Sequence, residues 1–478
     1  MKPSIKNLFP CFNGKYAEWI LRGLIASLGW LIACPAMAQN FTTLHTFTNG
    51  SDGAYPVSRL IQSGNTLYGT AASGGTSGNG TVFAINIRSG ILTPLHTFTA
   101  TVDASSDLAT NGDGVLPVAG LILSGDTLYG TAENGGTNGY GTVFAVNTNG
   151  TVFTNLHSFD FFDGAYPAAR LILSGNTLYG TTAYGGRGGG GPTGSGTVFA
   201  INTNGMCFTN LYNFGEVDGA QPVGELILSN ITLYGTTAHG GTNGYYGTVF
   251  AVNTNGMCFT NLHSFSEADG SPYAGLILSD NMLYGTTSDE ETGNVGMVFA
   301  VNTNGMCVTN LHSFTGGSDG GYPFAGLILS GNTLYGTASN GGTNSYGTAF
   351  EIQTNGTGFT TLHNFTDGSD GGDPQAELIL SGNTLYGTAA HGGSGNNGTV
   401  FSLSFSPQLG INLFGANVIL TWPTNVDGFD CSGFTLQYTT NLPSLDWTTN
   451  SPGPAIVNGQ YTVTNSISGT QRFYRLSQ

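Results

Sequence analysis

The sequence predicts an all-β protein in which a seven-bladed β-propeller, closed by an N-terminal strand, precedes a small C-terminal β-sandwich. The first observation is a repeat, since Leu-Tyr-Gly-Thr occurs seven times at steps of 61, 50, 55, 50, 51 and 51 residues. Its tyrosines are Tyr68, Tyr129, Tyr179, Tyr234, Tyr284, Tyr335 and Tyr386. Self-similarity at about 40–50 residues is typical of propellers and solenoids, whose units bury their faces against neighbouring copies.

The second observation is that each copy contains four short apolar runs separated by turn residues. In one copy, residues 170–174 and 177–182 form a predicted hairpin through Gly175-Asn176, a turn pair that tolerates positive φ. Residues 196–202 and 208–214 follow, joined by Asn204-Gly205. Four strands in about 50 residues correspond to one propeller blade.

The third observation is the phase of the repeat. Seven copies of the fourth strand end at a phenylalanine, namely Phe47, Phe98, Phe159, Phe214, Phe265, Phe314 and Phe365. The first copy precedes any hairpin, and the last hairpin has no fourth strand after it. Pairing of residues 41–47 with residues 398–403 would complete the last blade and leave no open sheet edge.

The repeated pattern resembles a known family. Pro-x(3)-Leu-Ile-x-Ser-Gly-Asn-x-Leu-Tyr-Gly-Thr, a Gly-Gly loop, Gly-Thr-Val-Phe-Ala and Leu-His-x-Phe are similar to the Gloeobacter/Verrucomicrobia tandem repeat, GloVer, over roughly residues 41–405. The resemblance implies a secreted or surface-exposed bacterial protein and no particular reaction. The strand order also resembles kelch blades, but the tryptophan typical of a kelch fourth strand is missing, so kelch activities are not carried over.

The N-terminus has the pattern of an export signal. Basic residues precede an apolar run over residues 23–34, which is too short to span a bilayer, and Ala36-Met37-Ala38 offers a signal-peptidase site. We expect residues 1–38 to be a signal peptide cleaved after Ala38. The alternative is Leu31-Ile32-Ala33-Cys34, which resembles a lipobox and would leave Cys34 lipidated. Both predict an exported protein, either secreted or on the cell surface.

Residues 406–478 form a separate predicted domain. They hold Trp422 and Trp447, the only tryptophans after residue 38, in alternating runs typical of strands. This segment resembles a fibronectin-III-like β-sandwich, and the propeller is therefore assigned to residues 39–405. No apolar stretch long enough to cross a membrane follows, so we expect no transmembrane anchor in the mature chain.

The repeated cysteines and histidines are not expected to form bridges or metal sites. Cys207, Cys258 and Cys307 occupy equivalent positions in successive blades, roughly 18 Å apart and beyond the Cα separation that a disulfide allows. We expect small buried thiols there. The recurring fourth-strand histidines are too far apart to bind one metal ion, and we expect them to be half-buried strand residues. His239 and His391, each beside a Gly-Gly pair, are weak candidates for ligand contact.

Charge argues against several partners. After residue 38 the chain keeps six basic residues, 26 acidic residues and no lysine, a net charge of −20. Nucleic acid and anionic membranes are therefore excluded as expected partners. Eighteen of the 26 acids fall in the loops before first strands or between second and third strands, which open on one face of a propeller.

One Asp-Gly per copy marks that face. These aspartates are Asp52, Asp113, Asp163, Asp218, Asp269, Asp319 and Asp370. They are typical turn residues, in which aspartate caps its own backbone and glycine supplies positive φ. Tyr55, Tyr166 and Tyr322 lie close by, so carboxylates and aromatic rings together also suit extracellular glycans or other cell-surface components, bound with avidity around a ring.

Calcium is the one cofactor that the sequence suggests. Its six to eight oxygen ligands must come from a single loop, because carboxylates on separate blades cannot converge. The two loops richest in acids carry Asp367, Asp370 and Asp373, and Asp103, Asp107 and Asp113. We predict weak calcium binding there.

Four charged residues are predicted to line the central channel. The residue before each Leu-Ile of the innermost strand is, in ring order, Arg59, Gly120, Arg170, Glu225, Gly275, Gly326 and Glu377. Arg170 adjoins Glu225, and ring closure places Glu377 beside Arg59. We expect two ion pairs that fix the order of the blades.

Taken together, the residues favour a binding module over an enzyme. The blade loops are nearly interchangeable, and no nucleophile, base and orienting group occur together in the pattern. We expect a monomeric extracellular or surface interaction module, with two alternatives: a polysaccharide lyase or hydrolase that uses the axial Arg and Glu residues, and a structural envelope protein without a small ligand.

Overall fold

The computed structural model describes residues 38–102, 109–187, 194–289, 293–426, 429–441, 446–467 and 471–477. All regular secondary structure in these ranges is β-strand, which confirms the all-β class. One compact unit comprises Gln39–Phe405 with Asp427–Asp430, and a second comprises Ser406–Val426 and Cys431–Gln478. No described segment is a helix long and apolar enough to cross a bilayer. Cys34 and the signal-peptide core lie outside the described residues.

The repeats form seven four-stranded antiparallel sheets, named sheets 1 to 7 in chain order. An N-terminal strand, β1 (Ala38–Thr46), comes first. Sheet 1 contains β2 (Ile61–Ser63), β3 (Thr66–Ala71), β4 (Thr81–Asn86) and β5 (Leu92–Thr97), and sheet 2 contains β6 (Ile122–Ser124), β7 (Thr127–Ala132), β8 (Thr142–Asn147) and β9 (Phe153–Ser158). Sheet 3 contains β10 (Ile172–Ser174), β11 (Thr177–Thr182), β12 (Thr197–Asn202) and β13 (Thr209–Asn213), and sheet 4 contains β14 (Ile227–Ser229), β15 (Thr232–Thr237), β16 (Thr248–Asn253) and β17 (Thr260–Ser264).

Sheets 5 to 7 continue the pattern. Sheet 5 contains β18 (Ile277–Ser279), β19 (Met282–Asp289), β20 (Asn294–Asn302) and β21 (Val308–Ser313). Sheet 6 contains β22 (Ile328–Ser330), β23 (Thr333–Ala338), β24 (Thr348–Gln353) and β25 (Thr360–Asn364), and sheet 7 contains β26 (Ile379–Ser381), β27 (Thr384–Ala389) and β28 (Thr399–Ser406). The fourth strand of sheet 7 is β1, which pairs with β28 in the order β1-β28-β27-β26.

The innermost strand of each sheet is shorter than the sequence predicts. The third sheet was expected to begin at Arg170, but its first strand begins at Ile172. The backbone before Ile172 faces the neighbouring sheet instead, because the carbonyl of Ala169 accepts a hydrogen bond from the Thr131 hydroxyl of sheet 2 at 3.3 Å.

Each residue of Leu-Tyr-Gly-Thr has a distinct packing role. In sheet 1, Leu67 is fully buried, and Tyr68 packs in the cluster shared with sheet 2. A Cβ on Gly69 would lie 2.7 Å from Cζ of Phe83, so only glycine leaves room for that ring. The Thr70 hydroxyl donates to the carbonyl of Ala119 in sheet 2 at 3.0 Å. The tetrapeptide therefore builds both the sheet and its junction with the next sheet.

Hydrophobic clusters and ring contacts join every sheet to its neighbour. Five clusters join consecutive sheets from 1 to 6, and another joins sheet 7 to sheet 1 through Phe47, Phe83 and Tyr386. Sheets 6 and 7 meet where Phe41 of β1 lies 5.9 Å from Phe365, measured between ring centroids. The Thr388 hydroxyl of sheet 7 also donates to the carbonyl of Ser58 before sheet 1, at 3.3 Å.

The C-terminal unit has its own core. Its strands are β29 (Gly410–Phe414), β30 (Asn417–Pro423), β31 (Asn425–Val426), β33 (Thr435–Thr439), β34 (Thr448–Thr449), β35 (Ala455–Val457), β36 (Gln460–Ser466) and β37 (Phe473–Ser477), whereas β32 (Phe429–Asp430) is grouped with the first unit. A four-stranded sheet, β29-β30-β36-β35, and a three-stranded sheet, β34-β33-β37, contribute to one cluster around Trp422.

Candidate binding face

Two kinds of loop meet at one end of every repeat sheet. The loop that carries Asp-Gly is bridged to the loop after the second strand of the following sheet, and we call their common surface the loop face. The bridges are Ala54↔Ser73, Val115↔Asn134, Ala165↔Tyr184, Ala220↔His239, Ser271↔Ser288, Gly321↔Asn340 and Gly372↔His391. The two acid-rich kinds of loop therefore lie together, as the charge pattern predicts.

The Asp-Gly carboxylates make hydrogen bonds inside this framework. Asp113 is 6% exposed, and its Oδ2 lies 2.9 Å from Nε2 of His96. It also accepts from the backbone N–H and the hydroxyl of Thr99. The equivalent pairs are His45–Asp52, His157–Asp163, His312–Asp319 and His363–Asp370 at 2.8–3.2 Å, with Tyr212 donating to Asp218 at 2.8 Å. In the remaining copy, Asp269 accepts from Ser266.

Protonation in these pairs follows from burial and hydrogen bonding. Burial opposes ionisation of Asp52 and Asp113, but hydrogen bonds from histidine and threonine outweigh it and hold the pKa of both carboxyls below the usual value. Burial also lowers the pKa of His263, His312 and His363, against the effect of the nearby aspartates. The carboxyls of Asp52 and Asp113 are therefore ionised at neutral pH, and the imidazoles of His263, His312 and His363 are mainly neutral there.

These pairs also link neighbouring sheets. The imidazole of His96 stacks on Phe153 of sheet 2 with the ring centroids 3.7 Å apart. The same stack recurs as His157–Phe208, Tyr212–Phe259, His312–Phe359 and His363–Phe41. Sequence reasoning missed the His–Asp pairing. The available signal was that histidine and aspartate each occur once per copy, with tyrosine replacing histidine in one copy.

Tyr55, Tyr166 and Tyr322 occupy one equivalent position with a left-handed backbone. Their φ values are 55°, 59° and 55°, although each precedes a proline and carries a Cβ. Hydrogen bonds on both sides hold the conformation: the Tyr166 N–H donates to Tyr140 at 2.9 Å, and the Tyr166 carbonyl accepts from Ala183 at 3.1 Å. Leu116, Gln221 and Asp373 have the same position and φ values of 54–57° in other copies.

The predicted calcium ligands do not converge in the part that the structure describes. Asp370 is engaged by His363 and Thr366, and Asp373 accepts from Gln375 at 2.8 Å and lies 3.6 Å from His391. Among the described residues, which include Asp367, no three His, Cys, Asp or Glu side chains lie close enough together to hold a metal ion. Asp103 and Asp107 lie outside these residues, so calcium binding remains a prediction.

The axial arginines and glutamates form one network. Arg170 Nη1 lies 2.5 Å from Glu225 Oε1, and Arg59 Nη1 lies 2.8 Å from Glu377 Oε1. The structure brings both predicted pairs together and adds a contact of 3.6 Å from Arg59 to Glu225. Arg59, Glu225 and Glu377 help to line a cavity of about 420 Å³.

Glycines make room for these side chains. A Cβ on Gly120 would lie 3.0 Å from Cδ of Arg170, and one on Gly326 would lie 2.9 Å from Oε2 of Glu377. Burial raises the pKa of Glu377 to about 7, with Glu225 adding to the effect and Arg59 opposing it. The network therefore holds a carboxyl that exchanges a proton near neutral pH.

The repeated cysteines correct one prediction. Cys207, Cys258 and Cys307 are exposed, so the expectation of buried thiols was wrong. They lie in the turns before the fourth strands, and φ values of 58° and 57° at Cys207 and Cys258 place them outside the regular sheet.

Solved structures of several different proteins resemble this chain. One is an oligogalacturonate lyase in complex with manganese, with a TM-score of 0.47, 11% identity and coverage of 78% of this chain and 96% of that chain. A candidate 6-phosphogluconolactonase from Bacteroides fragilis NCTC 9343 has a TM-score of 0.45, 16% identity and coverage of 86% and 97%. TolB from Acinetobacter baumannii has a TM-score of 0.36, 10% identity and coverage of 84% and 86%.

Sequence comparison assigns the family. A search among curated proteins found no match. The model of the Gloeobacter/Verrucomicrobia repeat matches four times, over residues 22–187, 102–271, 188–337 and 317–415. Because these segments span more than half of the 478 residues, the chain belongs to the Gloeobacter/Verrucomicrobia repeat family.

Proposed function

We propose that sheets 1 to 7 are the blades of one closed, seven-bladed β-propeller. Each sheet packs on the next, and sheet 7 contains the N-terminal strand. The hydrogen bond from Thr388 to Ser58 and the ion pair between Glu377 and Arg59 both join the last sheet to the first. A closed ring accounts for these contacts and removes the open edges that a row of sheets would leave.

We propose that the propeller is an exported module that binds extracellular glycans through its loop face. The proposal depends on one observation. The residue before proline has the same strained backbone conformation in several copies, but its side chain differs between them: Tyr55, Leu116, Tyr166, Gln221 and Tyr322. A repeated scaffold that holds different side chains on its loops is typical of a recognition surface.

A glycan array tests this function. The full mature chain should bind a defined subset of glycans above background, and binding should weaken in the double variant Tyr55→Ala/Tyr322→Ala. Loss of histidine–aspartate pairs is a poor test, because those carboxylates support the fold. An array without specific binding would contradict the proposal and favour the structural envelope role.

Calcium assistance is tested in the same assay. We propose that the loop with Asp103, Asp107 and Asp113 binds the ion weakly. Array signals and melting curves should then differ between millimolar calcium and EDTA. Superimposable curves would reject a calcium site.

Export and the C-terminal unit complete the proposal. We propose cleavage after Ala38 and a fibronectin-III-like sandwich over residues 406–478, supported by the two sheets around Trp422. N-terminal sequencing of the exported protein should begin at Gln39. Incorporation of radioactive fatty acid that disappears in Cys34→Ser would instead assign lipidation at Cys34.

A catalytic role is the second candidate, and the axial network favours it. Glu377, with its pKa raised to about 7, and Arg59 adjoin a cavity, which is the pairing of proton carrier and charge stabiliser that a lyase or hydrolase requires. Slow depolymerisation of a polysaccharide that stops in Glu377→Gln would support the enzyme. Intact polymer after prolonged incubation with the wild-type protein would exclude it for that polymer.

A further inference from the structure

The loop face carries a row of aromatic rings over sheets 2 and 3. Phe161 lies 5.3 Å from Tyr140, which lies 6.2 Å from Tyr166, and Tyr166 lies 5.8 Å from Tyr184. Phe162 extends the row at 6.4 Å from Phe161 and is 62% exposed. All five side chains are partly or fully exposed. They come from three different loops, and the fold alone brings them together.

A second row continues over sheets 4 to 6. Tyr245 is 50% exposed and stacks on His239 at 5.5 Å. His239 lies 6.1 Å from Tyr273, which lies 5.5 Å from Phe324. Between the two rows, the Tyr184 phenol acts electrostatically on Tyr245, and burial together with the Glu216 carboxylate and this phenol raises the pKa of Tyr245. We call the nine rings the aromatic track.

The track is held in place by its backbone. Phe161 and Tyr245 have φ values of 73° and 78°, a strained conformation for residues with a Cβ. The Phe161 N–H donates to Gly164 at 3.1 Å, and its carbonyl accepts from Gly186 at 2.9 Å. Rings fixed in this way lose little conformational entropy when they bind a ligand.

Charge around the track selects against anions. Glu133 acts electrostatically on Tyr166, Glu216 acts on Tyr245, and Asp160 is exposed beside Phe161. Among the described residues of the loops over sheets 2 to 5, Arg187 is the only exposed arginine, and no lysine occurs after residue 38. A polymer with repeated carboxylates or phosphates would meet net repulsion here.

Most neighbouring rings pack edge to face, with interplanar angles of 73° for Tyr140 and Tyr166 and 90° for Tyr166 and Tyr184. We propose that the aromatic track binds a single chain of an uncharged polysaccharide, whose sugar rings cover the aromatic surface that this packing leaves exposed. This inference rests on the proposed glycan-binding function, adds a second set of contacts on the same loop face to those of Tyr55 and Tyr322, and narrows the ligand class. The C–H face of a pyranose covers aromatic surface, while its hydroxyls reach the phenols of Tyr166 and Tyr184 and the carboxylates of Glu133 and Glu216. Several weak contacts along one chain add up to useful avidity.

Affinity electrophoresis of the full mature chain tests the proposal. The gels contain mixed-linkage β-glucan, galactomannan, polygalacturonate or no polymer. Phe162→Ala, Tyr245→Ala and Tyr184→Ala remove one ring each, and Phe162 and Tyr245 are exposed enough for their removal to leave the fold intact. The matched control is Tyr346→Ala, which removes a 44% exposed tyrosine from the loop face outside the track. Melting curves identify any variant that is misfolded.

We expect at least one uncharged polymer to retard the wild type and Tyr346→Ala equally. Each track variant should raise the dissociation constant about three- to tenfold, as expected for the loss of one stacked ring. Equal retardation of all variants would place binding elsewhere and overturn the inference while leaving glycan binding intact. Retardation by polygalacturonate alone would overturn the ligand class. The same holds if the protein binds a proline-rich peptide but none of the polysaccharides. Absence of retardation together with an empty glycan array would reject the proposed function itself.

Discussion

The aspartate of each Asp-Gly illustrates how an apparent ligand residue can be a structural one. Asp113 is almost fully buried, and two donors from Thr99 and one histidine surround its carboxylate. Hydrogen bonds to a buried charge are among the stronger ones, and their loss leaves donors without partners. This explains why aspartate recurs in all seven copies without any need for a ligand.

Replacing this carboxylate should destabilise the protein. Asp113→Asn turns one acceptor into a donor that faces other donors, and we expect the free energy of unfolding to fall by about 1–3 kcal/mol. Equilibrium urea unfolding measures this, with Asp126→Asn, an exposed turn residue, as the control that should change by less than about 0.5 kcal/mol. Since the pKa of Asp113 lies below 3.8 in the folded state, the effect should be constant above pH 5 and vanish as the pH falls well below 3.8. An undiminished difference at pH 2 would contradict this assignment.

Glu377 should have the opposite pH dependence. Its folded-state pKa is raised to about 7, so between about 4.5 and 7 the folded protein retains a proton that the unfolded chain releases. Stability due to this group therefore falls as the pH rises through that window. We expect the melting temperature of Glu377→Gln relative to wild type to increase from pH 5 to pH 8. A flat or decreasing difference would show that Arg59 keeps Glu377 ionised throughout.

At the level of the sheet, the repeated tetrapeptide combines packing within a sheet and between sheets. The glycine admits a phenylalanine of the third strand, and in Gly235 a Cβ would lie 2.6 Å from Cζ of Phe250 and 2.8 Å from Leu226. The threonine links to the next sheet in six of the seven copies through its hydroxyl. The period of the sequence is thus a period of contacts.

Overpacking at this glycine should be costly. Gly235→Ala should lower the free energy of unfolding by about 1–3 kcal/mol, because the ring of Phe250 must move. Gly112→Ala is the control, since no heavy atom lies within 4 Å of its added Cβ. Phe250→Leu in the Gly235→Ala background should recover part of the loss, and additive losses in the double variant would argue against direct contact.

For the whole molecule, the N-terminal strand is the element that distinguishes a closed ring from a row of sheets. β1 supplies Phe41 and precedes Phe47, which is fully buried and lies 5.3 Å from Phe83 of sheet 1. Its loss would expose the edge of β28 and the core shared by sheets 7 and 1.

Removal of β1 should therefore destabilise the repeat sheets as a unit. A chain that begins at residue 48 should melt at a lower temperature and bind a hydrophobic dye, and a synthetic peptide of residues 39–47 should restore the wild-type melting temperature. A peptide with Phe41→Ala and Phe47→Ala should not restore it. Unchanged melting of the shortened chain would mean that β1 does not close the structure.

Sequence patterns within one copy of the repeat predicted most of the fold. Apolar alternation, turn pairs and the tetrapeptide predicted four strands per copy, and the seven repeat sheets have that composition. The expected ring order placed Arg170 beside Glu225 and Arg59 beside Glu377, and both pairs are in contact. The exposure of Cys207 was missed, since residue type does not report which side of a turn faces solvent.

The sequence by itself determined the repeat, the strands and the positions of the charged and aromatic residues, because these depend on short-range periodicity. Apart from the Arg170–Glu225 and Arg59–Glu377 pairs, only the tertiary structure decided which of these residues meet. His96 and Asp113 are 17 residues apart, Arg59 and Glu225 belong to sheets 1 and 4, and the rings of the aromatic track come from separate loops. Such contacts are set by the packing of whole sheets against each other, which no local pattern encodes.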